Sequence, residues 1–294
     1  MKKFNTLKMI AYTILILYAF ISLFPFIWSA MISFTPITYQ NEEGIRVGVD
    51  FMKWPPKINF FKWPITLFNA PATTANYVEI FKITPYFRWI LNTFIYAISV
   101  TIGNLFFDSL AGYAFARLKF PFKNQIFSLL LATIMIPFPA IIIPTYLLIS
   151  DFNLLNSYTG LILPKLTMVF GIFLMRQFFL NIPKELEDAA KIDGASIPKT
   201  FFKIILPLSK PALGALGIYT FLNTWNDFMW PLIIMQQKEM FTLTLGLNFF
   251  KGSFYTVWPY MMAATMLMTA PMIFIFLSMQ DNFIEVGASS GLKG

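Results

Sequence analysis

The chain contains neither cysteine nor histidine in its 294 residues. Without cysteine there are no disulfides, no thiolate metal site and no cysteine nucleophile. Without histidine the commonest general base and the commonest transition-metal ligand are both missing. Charge is scarce as well: 12% of residues are Asp, Glu, Lys or Arg, where a soluble domain carries roughly 25%. No Gly-Lys pair occurs anywhere, so there is no G-x-x-x-x-G-K-[ST] loop to cradle a nucleotide. A membrane enzyme would need a cluster of catalytic side chains, and no such constellation is visible.

What the chain has instead is apolar surface. Hydrophobic residues make up 57% and aromatics 18%, led by 35 Phe, and the mean hydropathy is +0.65. One globular domain could not keep that surface out of water. A bilayer core of about 30 Å needs roughly 20 apolar residues of helix, and six runs meet this: 9–32, 89–110, 126–149, 158–180, 211–235 and 258–279. They are continuously apolar, without the alternation of barrel strands. The expected fold class is therefore all-α, a polytopic membrane protein with six transmembrane helices. The second run is the weakest, because it holds Asn92, Asn104 and Asp108. Lys165 and Arg176 in the fourth could snorkel toward opposite faces. Pro137, Pro139, Pro144, Pro164 and Pro271 are expected to kink their helices. The methionines Met261, Met262, Met266 and Met268 read as adaptable packing rather than a metal site.

The N-terminal Met-Lys-Lys before an apolar run resembles a signal peptide, but the run exceeds the 7–15 residues of such a segment, so an uncleaved first span is expected. The net charge of +8 sits where a membrane protein puts it, and nucleic acid is not needed to explain it. Arg117, Lys119 and Lys123 lie between spans two and three. Lys184, Lys191, Lys199, Lys203 and Lys210 lie between spans four and five. The 150–157 loop has no base and one acid, Asp151. By the positive-inside rule the even-numbered connections and both termini face the cytoplasm, and Lys2, Lys3 and Lys8 agree. The outer segment 34–87 is rich in Pro and aromatics (Trp54-Pro55-Pro56, Trp63-Pro64), which suggests turns and interfacial contacts.

The loop 181–210 carries the densest pattern. It reads as two short helices. Asn181 can cap the first, Pro183 sits in its first turn, Glu185, Glu187 and Asp188 lie near the positive end of its dipole, and Gly194 stops it. Ser196 can cap the second, which has Pro198 in its first turn and an apolar face of Phe201, Phe202 and Ile205, and Pro207 ends it. Leu186, Ala189 and Ala190 share a face that two alanines leave thin. A partner backbone could come close there, and an ordinary amphipathic helix lying on the membrane would read the same way.

Asp188-Ala189-Ala190, then Asp193-Gly194-Ala195, then Pro207 resemble the EAA loop of ABC-importer permeases. In that family this loop is the coupling helix that docks on an ATPase subunit. The motif normally opens on Glu; here it opens on Asp188 with Glu187 beside it, so either acid could take the role. The run from Ala111 to Pro121 resembles the end of the second span in maltose-type, carbohydrate-importing permeases. Trp225, Asn226, Asp227, Trp230 and Pro231 resemble their fifth-span signature. Gly287, Gly291, Lys293 and Gly294 resemble the tail of the maltose G-type subunit, which contacts the ATPase pair. The resemblance implies a type I importer permease: a cytoplasmic N-terminus (1–8), a six-span permease domain (9–280) and a cytoplasmic tail (281–294), in a bacterial or archaeal cell membrane. The implied partners are a second homologous permease, two ATPase subunits that bind ATP and magnesium, an extracellular solute-binding protein and the lipid bilayer. This chain itself would be no enzyme and would hold no cofactor. A sugar or oligosaccharide is the implied cargo, with Trp225, Asn226, Asp227 and Trp230 as pathway residues. Glycerol phosphate in the same family, or a secondary transporter using Asp108 or Asp227 as a proton site, are the alternatives.

Overall fold

The computed structural model describes residues 6–40, 46–49, 51, 56–61, 64–251 and 256–291. Lys2, Lys3, Trp54, Pro55, Trp63, Lys293 and Gly294 lie outside the described residues. Helix α1 (Thr6–Ser33) opens the chain. Two antiparallel hairpins follow, β1 (Thr38–Gln40) with β2 (Arg46–Gly48) and β3 (Thr66–Leu67) with β4 (Ala70–Pro71). Next come α2 (Ala75–Ile83), the long α3 (Tyr86–Arg117), α4 (Lys123–Ala132), α5 (Phe138–Asp151), α6 (Tyr158–Ile162) and α7 (Val169–Leu180). The remainder is α8 (Glu185–Ile192), α9 (Ile197–Thr200), α10 (Leu206–Leu208), α11 (Lys210–Trp225), α12 (Met229–Ile234), α13 (Leu243–Leu247) and α14 (Trp258–Gly291).

Among the described residues, three helices are long and apolar enough to cross a membrane unaided: 8–33, 86–117 and 258–275. Three helix pairs pass the same test only together, bent by 102° between 123–135 and 138–151, by 43° between 158–165 and 169–180, and by 79° between 197–208 and 210–225. Counting each pair as one span gives up to six by length and composition, although 197–208 belongs to the loop 181–210 and the fifth apolar run begins only at 211. The breaks have local causes. Pro137 precedes α5 in extended conformation, and Pro164 lies in the 3-10 turn Leu163–Lys165. Neither proline can donate the backbone bond that would carry a helix through. The fifth span also differs from the 211–235 run, because α11 stops at Trp225 and α12 starts at Met229. Asp227 Oδ1 accepts the Trp230 N–H at 3.3 Å there, capping the new helix.

Two units make up the chain. One comprises Met1–Tyr86 with Leu247–Ile273. In it every residue of α1 from 8 to 27 is exposed, a surface suited to lipid. The end of α1 is closed by Asn76, whose amide donates to the Ser33 and Thr35 carbonyls at 2.8 Å each. The β3–β4 turn has Phe68 and Asn69 at φ 53° and 65°, the twist that a two-residue hairpin favours. Phe68 stays there because its ring is buried edge-on against Trp28 and Phe51, at 5.0 and 5.4 Å between centroids.

The second unit comprises Phe87–Gly246 with Phe274–Gly294, and α3 organises it. Irregular backbone at membrane depth must find protein partners, and α3 supplies them from positions spaced by multiples of four residues, a row that winds slowly around the helix. Asn92 donates to the Glu239 and Phe241 carbonyls (2.7 and 2.9 Å) and accepts from the Tyr158 hydroxyl (2.5 Å). Asn104 donates to the Lys165 carbonyl in the fourth-span break, at 2.7 Å. Asp108 accepts from the Thr167 hydroxyl (2.5 Å) and the Met168 N–H (3.1 Å), a carboxylate at the positive end of α7. The polar residues that weaken the second run are those that hold the breaks of the others.

Gly171 makes room for Asp108: a Cβ there would fall 2.0 Å from Asp108 Oδ2 and 3.0 Å from Leu216 Cδ1. Gly171→Ala should therefore destabilise by roughly 2–3 kcal/mol. Gly217 has nothing closer than 3.6 Å, and Gly217→Ala in the same region should gain about 0.5–1 kcal/mol of helix propensity. Thermal melting of the detergent-solubilised chain distinguishes the two; equal effects would mean that the Asp108 contact does not restrict position 171.

Candidate functional site

Two places gather the chemistry-bearing residues, both within the second unit: the α8–α10 loop and a charged cluster where the fourth and fifth spans break.

The loop begins as α7 ends. Asn181 stands at the end of α7, its amide turned back to the Gln177 carbonyl at 3.0 Å, and it does not cap α8. Lys184 occupies the cap position instead, its carbonyl accepting from the Glu187 and Asp188 N–H groups at 3.0 and 3.1 Å. Pro183 accordingly lies just before the helix rather than in its first turn. Glu185, Glu187 and Asp188 are in the first turn. Gly194 ends the helix at φ 75°. Its N–H reaches the Lys191 carbonyl at 3.1 Å and that of Ala195 reaches Ala190 at 2.9 Å, the paired closure that uses glycine's freedom in the left-handed region. Asp193 is exposed at the end of that turn. Ser196 takes the cap position of α9 without a side-chain bond. A π-helical turn, Phe201–Ile205, follows. The helical path runs past Pro207 to Leu208, one residue beyond the stop read from sequence, and the Leu206 N–H just before the proline bonds back to the Phe201 carbonyl in the π-helical turn.

The face of α8 read as thin is divided. Ala190 is 5% exposed and packs within the chain, whereas Ala189 points outward. Leu186, Ile192 and Ile197 are also exposed, at 41%, 87% and 57%. Phe201 and Ile205 are buried against Tyr113, Met175, Phe179 and Leu216, and Phe202 faces out. Glu187 turns the other way from Asp188. Its Oε1 lies 2.8 Å from Arg117 Nε, with the two side chains 15% and 11% exposed, while Asp188 is exposed. Arg117 also donates through Nη2 to the Ile182 carbonyl.

In the charged cluster, Lys165 Nζ lies 3.4 Å from Asp227 Oδ2 and 4.1 Å from the Phe138 ring centroid. The Tyr96 hydroxyl donates to Asp227 Oδ2 at 2.8 Å. Lys165 thus pairs inward rather than snorkelling. Arg176 does not snorkel either: it stacks on Phe127 at 4.3 Å and donates to the Phe115 carbonyl at 3.2 Å. Trp225 and Trp230 are fully buried, Trp230 donating to the Leu161 carbonyl at 3.1 Å. Neither ring presents a face to a passing ligand; Asn226 alone of the four pathway candidates is exposed, its amide bonded to the Leu222 carbonyl at 2.9 Å. Gly287 and Gly291 lie in the last turns of α14. Sequence reasoning missed the roles of Arg117 and Lys165. The signal for Lys165 was a lone lysine and a lone aspartate, each within an apolar run. For Arg117 it was a cation at the end of α3 facing a loop rich in acids. Among the described residues no group of acidic side chains gathers as a metal site.

The family model of the binding-protein-dependent transport system inner membrane component matches residues 108–285. The chain belongs to this family. The match spans the α8–α10 loop and the Phe138, Lys165 and Asp227 members of the charged cluster, and it makes the chain the permease subunit of an ABC transporter, which is not itself an enzyme. The permease is 34% identical over 272 residues to the arabinooligosaccharides transport system permease protein AraQ of Bacillus subtilis, covering 92% of this chain and 91% of that one. It is 37% identical over 233 residues to the sn-glycerol-3-phosphate transport system permease protein UgpE of Yersinia pestis, covering 76% and 83%. Its fold matches a chain in the crystal structure of a bacterial ABC transporter involved in the import of the acidic polysaccharide alginate. That match has a TM-score of 0.75 at 20% identity, covering 96% of this chain and 98% of the other.

Proposed function

We propose that this permease imports a sugar or oligosaccharide delivered by an extracellular solute-binding protein, in a complex with a second homologous permease and two ATPase subunits that hold ATP and magnesium. The observation that carries this is the outward apolar face of α8, Leu186, Ala189 and Ile192, exposed within the chain and bordered by Asp188 and Asp193. Such a patch rimmed by charge fits a docking surface. In this reading residues 181–210 face the cytoplasm, as do both termini, and the tail from Gly287 to Gly294, with Lys293, reaches the ATPase pair. ATP-driven closure of the ATPase dimer moves α8 and reorients the spans, opening the pathway to the outside.

The length of the match to the arabinooligosaccharide permease supports carbohydrate as the cargo. The glycerol phosphate reading has the shorter match, and the membrane-depth cation Lys165 is already engaged by Asp227. A proton-coupled carrier is disfavoured because Asp108 is held by Thr167 and Met168 and Asp227 by Lys165 and Tyr96. Uptake of labelled arabino-oligosaccharide and glycerol 3-phosphate into proteoliposomes holding the full complex tests the proposal. Sugar uptake should require internal ATP and survive a protonophore. Uptake driven by a proton gradient without ATP would reject it, and preferential uptake of glycerol 3-phosphate would reject the cargo.

A further inference from the structure

We propose that Arg117 and Glu187 clamp the docking helix α8 to the end of α3, so that movement of the loop is delivered to the residues holding the membrane breaks. This rests on the docking role of α8 proposed above and assigns the two neighbouring acids different tasks: Asp188 meets the partner, and Glu187 belongs to the interior of this chain.

The geometry is a three-way junction. Arg117 is the last residue of α3, and its guanidinium reaches the Ile182 carbonyl just past α7 and the Glu187 carboxylate in the first turn of α8. Tyr113 lies one turn earlier on α3. Its ring stands 4.9 Å from Phe201 and 6.0 Å from Phe179 between centroids, so the junction extends to the second half of the loop. Neighbouring cations are occupied elsewhere: Arg176 donates to the Phe115 carbonyl at 3.2 Å, and Lys123 to those of Ala116 and Leu118 at 3.3 and 2.9 Å. Lys184 and Lys191 are exposed. Glu187 therefore has one charged partner, held by proximity of the charges rather than by an aligned Nε–H bond, and both members are nearly out of water.

Separating a desolvated pair leaves two uncompensated charges, so a pull on α8 is transmitted to α3 instead of bending the loop. The same helix carries Asn92, Tyr96, Asn104 and Asp108, which hold the breaks in the fourth and fifth spans and the 238–242 turn. The clamp joins the surface that receives the movement to the row of side chains that can pass it on. Arg117 and Glu187 are positioning residues in this scheme and touch no cargo.

The test uses the full complex in proteoliposomes, reading retention of the ATPase subunits, ATP hydrolysis and sugar uptake together. Glu187→Gln should retain the ATPase subunits while uptake per ATP falls about tenfold, a loss within the usual range of coupling between sites. Asp188→Asn should instead weaken retention. Because the chain has no cysteine, Arg117→Cys with Glu187→Cys can be joined by a short bis-maleimide. The unlinked double variant should show the same uncoupling, and the link should restore uptake per ATP, which a residue needed only for folding would not show. The clamp is overturned if Glu187→Gln sheds the ATPase subunits as Asp188→Asn does, if its uptake per ATP is unchanged, or if the link fails to restore coupling. Unchanged retention in Asp188→Asn counts against the docking reading alone, and the cross-link still decides the clamp.

Discussion

Ala189→Arg should remove ATP-driven uptake almost completely while leaving the permease folded and inserted. Ala189 lies on the outward face of α8 between Leu186 and Ile192. A methyl side chain there lets a partner's surface approach the helix closely, with the flanking Leu and Ile as anchors. An arginine in that place would be desolvated on docking without a partner of its own, since Arg117 already engages Glu187. Burying such a charge costs several kcal/mol, about 3 or more, which is a loss of over about a hundredfold in affinity. The ATPase subunits should therefore be absent from the purified complex. Ala190→Arg makes the contrast. Ala190 is 5% exposed within the chain itself, so the guanidinium would be forced among this chain's own side chains and the amount of folded permease should fall. If Ala189→Arg retains its ATPase subunits and transports normally, the outward face of α8 is not the docking surface.

That contrast marks what could be read from sequence and what could not. The motif from Asp188 to Gly194 identified the loop, because glycine at a helix end and acids in a first turn are local signals. Periodicity also put Leu186, Ala189 and Ala190 on one side, but a face of about 100° spans both an inward and an outward edge, and only packing separates Ala189 from Ala190. The six apolar runs were legible because the bilayer fixes their length. Of the breaks within them, those at Pro137 and Pro164 were legible from the prolines, but the one at Asn226 and Asp227 was not, since a hydropathy window averages over those two residues. Their partners are far away in the chain: Lys165 in the fourth span is joined to Asp227 in the fifth, and Glu187 in α8 is joined to Arg117 with four helices, α4 to α7, between them. The polarity of Asn92, Asn104 and Asp108 looked like weakness in the second span. It was a record of the irregular backbone that those residues support.

The pairing of Lys165 with Asp227 makes the second large prediction one of sign as well as size. Each charge lies in a segment otherwise apolar, with side-chain exposures of 29% and 14%. Removing one leaves the other uncompensated, at a cost of about 3 kcal/mol. Lys165→Met should therefore lower the melting temperature strongly, and Asp227→Asn likewise. Asp227→Asn also weakens the acceptor of the Tyr96 hydroxyl, a bond of 2.8 Å. The double variant carries neither charge, so it should recover most of the loss, leaving a residual penalty of about 1 kcal/mol from the weakened Tyr96 hydrogen bond. Stability and transport should then separate. The pair joins the break in the fourth span to the break in the fifth, and its attraction is strong only while both groups are out of water. A complex with the double variant should be nearly as stable as the parent but should open without that restraint, hydrolysing ATP faster in the absence of binding protein. Thermal melting and basal ATPase activity of the two single variants and the double variant, measured side by side, decide it. Additive losses in the double variant would mean that the two charges do not stabilise each other, and an unchanged basal rate would mean that their pairing does not restrain the transition.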